Sequence, residues 1–223
     1  MSFSIKDNTT FTGTGTASSV HMNNVSNGDN LFMAIAMNSV SGGAISSVTD
    51  SKNNTYLHAG QYDGTGIAVD FWYSMNATID NGTTATVTPT SGTTVWAAVW
   101  FDSTGEGYTN SFDQASGTSG LLGESLNSGN TLTTKVANEI LFGVNGQANN
   151  AAWGNGSSYT NITNSGNGTT AGVMVQYQVV SSTGSYNETA TLSSNSNWVA
   201  VIYTFANTSV SSTVSPLSIL GVG

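Results

Sequence analysis

The chain has 223 residues, of which 38% are hydrophobic and 7% charged, and its 12 acidic residues against three lysines and no arginine give a net charge of -9. Nucleic acids and anionic membrane surfaces are bound through Lys and Arg, so this composition disfavours both as partners. Cysteine is absent, which excludes disulfides, thiolate zinc sites and cysteine nucleophiles.

Short apolar runs separated by Gly, Asn and Ser clusters predict an all-β fold. The clearest predicted strands, in chain order, are NLFMAIAMNSV, GIAVDFWYSM, TVWAAVWF, EILFGV, AGVMVQYQVV and NWVAVIYTF. Residues 95–101 lack polar alternation, which predicts a central strand covered on both faces. TATVTPT and NETATLSS alternate, which predicts strands with one face in water.

The polar segments between these runs carry weaker signals. TFTGTGTASS predicts an edge strand with its turn, and NGSSYTNITNSGNGTT predicts a long surface loop. The only helical signal is a short turn near residues 118–126. The pattern predicts a single domain over residues 1–206 and an apolar tail over residues 207–223.

Five segments, SNGDNLFMAIAM, ISSVTDSKNNTY, FWYSMNAT, NEILFGV and SYNETATLSSNSNWVAVIYTF, resemble a widespread secreted β-sandwich module of bacterial and archaeal surface proteins. The resemblance extends over residues 3–206. It implies a jelly-roll or immunoglobulin-like β-sandwich and an extracellular location at the cell surface. It implies no enzymatic activity.

Catalytic signals are sparse. His21 and His58 are the only histidines; SVHMNN predicts a strand around His21, and YLHAGQ places His58 near a strand end. Neither lies in a Gly-x-Ser-x-Gly elbow, so no motif identifies either histidine as the general base of a nucleophilic serine. The glutamates that a glycosidase would need are scattered, at Glu106, Glu124, Glu139 and Glu188. We therefore predict that the protein is not an enzyme and needs no cofactor.

Calcium is the one metal that the loops suggest, because Asp and Asn oxygens suit a hard cation. The candidate ligands are Asp29, Asp50, Asp63 and Asp80. None of their loops matches the twelve-residue EF-hand pattern, and Asp-Gly and Asp-Asn-Gly are ordinary turn formers. The turn interpretation is preferred at each position.

Glycans enter the interpretation in two ways. Asn-x-Ser/Thr sequons predict N-linked glycosylation, at Asn8, Asn24, Asn53, Asn76, Asn81, Asn155, Asn161, Asn167, Asn187 and Asn207. Trp153 and Tyr159 lie in a polar segment, where their rings either stack on a bound sugar or close one end of the sandwich. The other four tryptophans lie in strand runs and are assigned to the core.

The tail ends in TVSPLSILGVG, with apolar side chains at Val214, Leu217, Ile219, Leu220 and Val222. Three explanations stay open: a further strand of its own sheet, a stub preceding a membrane anchor, or a strand donated to a neighbouring subunit. The N-terminal segment, with Phe3 and Ile5, is the alternative donor. In general character the chain resembles archaeal thread-type filament subunits, which assemble by strand donation.

The leading hypothesis is a glycosylated extracellular structural subunit that forms a head-to-tail homopolymer, a filament or coat, for adhesion. A heterologous contact repeated without closure produces such a filament. The alternatives are a monomeric carbohydrate-binding or surface-protein module and a viral structural protein. MSFSIKDNTT has no signal-peptide pattern, and no run is long enough for a membrane span. Since the composition suits an extracellular protein, we expect that a leader peptide has been cleaved from this chain.

Overall fold

The computed structural model describes residues 3–19, 21–38, 44–91, 94–104, 112–167 and 170–206. Within these residues the chain forms fourteen strands and no helix, so the predicted all-β class is confirmed. Since no helix occurs there, the described residues contain no helical membrane span.

The strands follow one another along the chain with short connections. In chain order they are β1 (Ile5–Thr14), β2 (Ala17–Ser18), β3 (Asn30–Met37), β4 (Ile45–Asp50), β5 (Leu57–Gly64), β6 (Ile67–Ser74), β7 (Ala85–Pro89), β8 (Val95–Ser103), β9 (Phe112–Asn127), β10 (Glu139–Gln147), β11 (Trp153–Asn155), β12 (Thr160–Asn167), β13 (Ala171–Val180) and β14 (Thr189–Ala206).

Three antiparallel sheets are formed. The first sheet has the order β1-β8-β3-β6-β5, and the third sheet has the order β2-β7-β4. In the second sheet, β10 pairs with both β13 and β14, and β12 lies beyond β13. The long strand β14 pairs with β9 along one side and with β10 and β11 along the other, since residues such as Val201 have a partner in each.

The first sheet lies between the other two, and β8 explains why. Its side chains alternate between two large cores: Ala97, Val99 and Phe101 face the second sheet, while Trp96, Ala98 and Trp100 face the third. Both sets are fully buried. The prediction of a central strand covered on both faces is therefore confirmed, and the molecule is a β-sandwich with a third sheet packed on one side.

Three sequence-based expectations about local structure are wrong. Residues 118–126 belong to β9 and form no helical turn, because β9 pairs with the long strand β14. Residues 160–167 form β12, paired with β13, where a surface loop was predicted. His21 is exposed and lies outside any strand.

Candidate functional site

The outer face of the second sheet, the face turned away from the first sheet, carries Trp153. This residue begins β11 and pairs with Leu192 of β14. It is half-buried and packs on a small apolar cluster, whose buried members are Leu126, Ala151, Met174, Ala190, Leu192 and Ala200. Trp198 packs on the same cluster and is also half-buried. Part of each ring therefore stabilises the fold and part reaches the surface.

An open cleft of about 410 Å³ lies beside Trp153 and is called here the tryptophan cleft. Its other walls include Asn150, Asn164 and Ser165, whose polar groups face the same space as the indole. Two hydrogen bonds join the Gln147 side chain to the Ala151 backbone at the base of the cleft. Gln147 Nε2 donates to the Ala151 carbonyl oxygen at 2.7 Å, and Gln147 Oε1 accepts from the Ala151 amide at 3.1 Å. The cleft thus combines one indole with several amide and hydroxyl groups, above a segment that hydrogen bonds hold in place.

A second open cleft of about 310 Å³, called here the tyrosine cleft, is lined by Tyr159, Tyr186 and Gln178 together with serine, threonine and asparagine side chains. The Tyr159 hydroxyl donates to the Asn187 carbonyl oxygen at 3.2 Å. Burial, and then the nearby charge of Glu188, raise the pKa of Tyr159 well above its usual value. Tyr159 therefore stays neutral and combines an apolar ring with a polar hydroxyl.

A buried polar network fixes the wall of the tyrosine cleft to the sheet. Glu188 is fully buried between two lining residues, and its Oε1 accepts from Asn145 Nδ2 at 2.7 Å and from Gln176 Nε2. Gln176 Oε1 in turn accepts from the Gly156 amide at 3.0 Å. Gly143 lies beneath the Glu188 side chain, where a Cβ atom would collide with it. Burial raises the pKa of Glu188 to about 7.

Among the described residues, no carboxylate lines either cleft. Elsewhere two pairs of carboxyl groups are close neighbours, Asp29 with Asp102 and Asp113 with Glu139. Burial raises the pKa of Asp102 and of Glu139 to about 7. Of the other two glutamates, Glu124 is exposed on β9 and Glu106 lies outside the described residues.

His58 lies near the start of β5, as predicted. Its Nε2 is 2.5 Å from Asp70 Oδ1, and its ring stacks on Trp72 with centroids 4.6 Å apart. The hydrogen bond to Asp70 raises the pKa of His58 above its usual value. Asp70 is fully buried, so the histidine caps a buried carboxylate at the sheet surface.

Each of the four candidate calcium ligands forms hydrogen bonds or an ion pair with other residues of the chain. Asp29 pairs with Lys6 at 2.6 Å, and Asp63 accepts from Gln61 at 2.7 Å. Asp50 accepts from the amides of Lys52 and Asn54 at 2.9 and 3.1 Å, as a turn-forming residue does. Asp80 accepts from the Gly82 amide at 3.1 Å and pairs with Lys52. Within the described residues, no three His, Cys, Asp or Glu side chains converge to hold a metal.

Most of the predicted glycosylation sites are exposed, whereas the predicted tail interface lies outside the described residues. The exposed sequon asparagines are Asn24, Asn53, Asn76, Asn81, Asn155, Asn161 and Asn187, and Asn8 is half-buried in β1. The Asn167 side chain, Asn207 and the tail residues Val214, Leu217, Ile219, Leu220 and Val222 lie outside the described residues. Phe3 is buried and Ile5 half-buried against the chain's own core, where β1 pairs with β8.

Comparisons with protein-family models, with curated proteins and with solved structures found no match to this chain. Sequence reasoning identified Trp153 and Tyr159 but missed the residues that complete the clefts, such as Asn164, Gln178 and Tyr186. The available signal was Tyr186, an aromatic residue in the polar run GSYNET, equivalent in character to Tyr159. Asn164 and Gln178 carry no local signal, since only sheet pairing brings them to the outer face.

Proposed function

We propose that the protein is a non-enzymatic extracellular module that binds a polysaccharide on the outer face of its second sheet. The observation that carries this proposal is the pair of open clefts, in which Trp153 and Tyr159 stand among amide and hydroxyl side chains. Sugar rings present C–H faces that pack on aromatic rings and hydroxyls that hydrogen-bond to amides. The lack of a lining carboxylate favours binding without hydrolysis.

Replacement of Trp153 by alanine is expected to weaken polysaccharide binding by roughly 1 to 3 kcal/mol, about 5- to 150-fold in Kd, through loss of stacking and burial. The measurement is titration of unglycosylated recombinant protein with a polysaccharide selected on a glycan array. Unglycosylated protein is required because Asn187 lines the tyrosine cleft and is itself a sequon.

Trp198→Ala is the matched control, since Trp198 packs on the same apolar cluster but lines neither cleft. It should reduce stability without changing affinity. Equal affinity of the wild-type protein and the Trp153→Ala variant would assign Trp153 to packing and contradict the proposal.

A specific observation favours a second candidate, assembly by strand addition into a filament or coat. The edge strand β9 is 16 residues long, and in the described part of the chain it pairs only with β14. Leu121 and Leu122 of this strand are 67% and 71% exposed. A long edge with exposed apolar side chains is a template for another strand. The occupant we infer is the 207–223 segment of a neighbouring copy.

Deletion of residues 217–223 is expected to abolish assembly and to leave the circular dichroism of the sandwich unchanged. Leu122→Lys should have the same effect, because it places a charge on the accepting edge. Leu132→Lys is the matched control, since Leu132 is 77% exposed but lies in a loop. Electron microscopy and light scattering measure assembly. Fibres formed by the truncated protein would eliminate the tail as donor, and a lowered monomer melting temperature would show that the tail completes its own sheet.

A further inference from the structure

The first residues of β1 place a lysine against a buried carboxylate. Lys6 Nζ lies 2.6 Å from Asp29 Oδ2 and 3.1 Å from Ser26 Oγ. The side chains of Lys6 and Asp29 are 21% and 5% exposed. The Ser26 amide also donates to Asp29 Oδ2 at 2.7 Å, so the carboxylate is held in place from two sides. This ion pair is largely withdrawn from water.

A second carboxyl group lies next to this pair. Asp102 is on β8, which runs between β1 and β3, and it is fully buried. Its Oδ1 accepts from the Asp7 amide at 2.7 Å, and its Oδ2 is buried without a donor among the described residues. The Asp29 carboxyl is a close neighbour of the Asp102 carboxyl and, after burial, contributes to the raised pKa of Asp102. Burial raises the pKa of Asp102 to about 7, so the group both holds and releases a proton near neutrality.

We propose that Lys6 and Asp29 form an intramolecular isopeptide bond, with Asp102 as the proton relay. A hydrogen bond between Nζ and a carboxylate oxygen places Nζ within about 3.5 Å of the carboxyl carbon, a separation suited to attack. Attack requires a neutral amine and a neutral acid, which form together when one proton passes from Nζ to the Asp29 carboxyl, and surroundings of low polarity disfavour separated charges.

The reaction balances without any co-reactant. The Nζ lone pair attacks Cγ of Asp29, forming the C–N bond and a tetrahedral intermediate. Asp102 donates its proton to the departing hydroxyl, and the carboxylate so formed takes the remaining proton from Nζ, so the Cγ–O bond breaks and water leaves. One ammonium and one carboxylate become one amide and one water, and Asp102 ends protonated as it began. No oxidation state changes.

The pair formed by Lys135 and Asp113 shows why burial matters. It has the same residue types, an Nζ–Oδ1 distance of 2.8 Å and a neighbouring buried acid, Glu139. The Lys135 side chain, however, is 71% exposed. Its ammonium group is surrounded by water, so this pair lacks the dry surroundings of Lys6 and Asp29, and we expect no bond there. The second pair therefore serves as an internal control in the same molecule.

The bond would fasten the edge strand β1 to the start of β3, across β8. A chain that contains no cysteine would then have a covalent cross-link between two strands of its first sheet. A mechanical force applied to the N-terminal segment would then be carried by this amide bond and not by the β1–β8 hydrogen bonds.

The test is mass spectrometry of the intact recombinant protein and of its tryptic digest after denaturation. The bond removes one water, so the intact mass should be about 18 Da below that of the sequence. Trypsin does not cleave after an acylated lysine, so the peptide 7–52 should be missing, while cleavage after Lys135 proceeds.

Lys6→Arg is the matched variant, because arginine keeps the charge and the cleavage site but its guanidinium does not attack a carboxyl group. It should give the full mass, release peptide 7–52 and melt at a lower temperature than the wild-type protein. Asp102→Asn keeps the contacts with Asp7 and Asp29 but removes the relay, and it should also lack the bond. Circular dichroism verifies that both variants fold. A wild-type protein of full mass that releases peptide 7–52 as readily as the Lys6→Arg variant would overturn the proposal.

Discussion

Replacement of Phe32 by alanine is expected to lower the free energy of unfolding by about 3 to 5 kcal/mol. Phe32 is buried in the core between the first and second sheets. Its ring centroid lies 6.0, 5.2, 4.7 and 5.2 Å from those of Phe71, Phe101, Phe142 and Phe205. These neighbours belong to four other strands of both sheets, so no single segment can move to fill the cavity.

Phe112→Ala is the matched control for this prediction. Phe112 touches the same aromatic cluster, 5.8 Å from Phe205, but it lies half-buried at the rim on β9. Its removal leaves no closed cavity, and we expect about half the effect of Phe32→Ala. Chemical denaturation with urea measures both changes. If both variants lost the same free energy of unfolding, the larger effect expected at Phe32 from a closed cavity would be contradicted.

Glu188→Gln is expected to increase stability at pH 8 by about 3 kcal/mol and to leave stability at pH 4 unchanged. Burial raises the pKa of Glu188 to about 7 from an ordinary value of 4.5. Below pH 4.5 the carboxyl is protonated in both the folded and the unfolded chain, so its stabilising contribution is complete. Between pH 4.5 and 7 only the unfolded chain ionises, and the contribution is lost as the pH rises.

Glutamine has the shape of protonated glutamate, which is why the substitution is informative. Its Oε1 can accept from Asn145 and Gln176 as that of Glu188 does, and its amide can donate to Asn145 Oδ1, which is buried without a donor among the described residues. Asp102 and Glu139 also have a raised pKa, so a weaker decline with pH should remain in the variant.

The measurement is the urea midpoint as a function of pH, with Glu124→Gln as control because Glu124 is exposed on β9. This variant should follow the wild-type curve. If Glu188→Gln also follows the wild-type curve from pH 4 to pH 8, Glu188 is not a buried proton-binding group.

Strand positions were predictable where the apolar pattern is local. Residues 95–101 and 199–205 are apolar on both faces over much of their length, and they form the covered strands β8 and β14. The alternating run TATVTPT forms β7, with Pro89 at its end. In each case the burial of successive side chains decides the conformation, and that information lies within one strand.

Prediction failed where a strand depends on its neighbour. β12 is rich in Asn, Ser, Thr and Gly and carries little apolar pattern, yet it is held by pairing with β13. Residues 118–126 suggested a helical turn, yet they belong to β9, which pairs with β14. Backbone hydrogen bonds across a sheet compensate for weak local preference, and they are invisible from either segment alone.

Local spacing and residue type were sufficient to predict the all-β class, the position of most strands, and Trp153 and Tyr159 as candidate aromatic residues. Packing of the sheets was needed to bring Lys6, Asp29 and Asp102 together, since they approach through the order β1-β8-β3. It likewise brought Glu188 to Asn145, 43 residues away, and to Gln176, 12 residues away. The pKa values of Asp102 and Glu188 are raised because these groups are separated from water, and burial is a property of packed sheets.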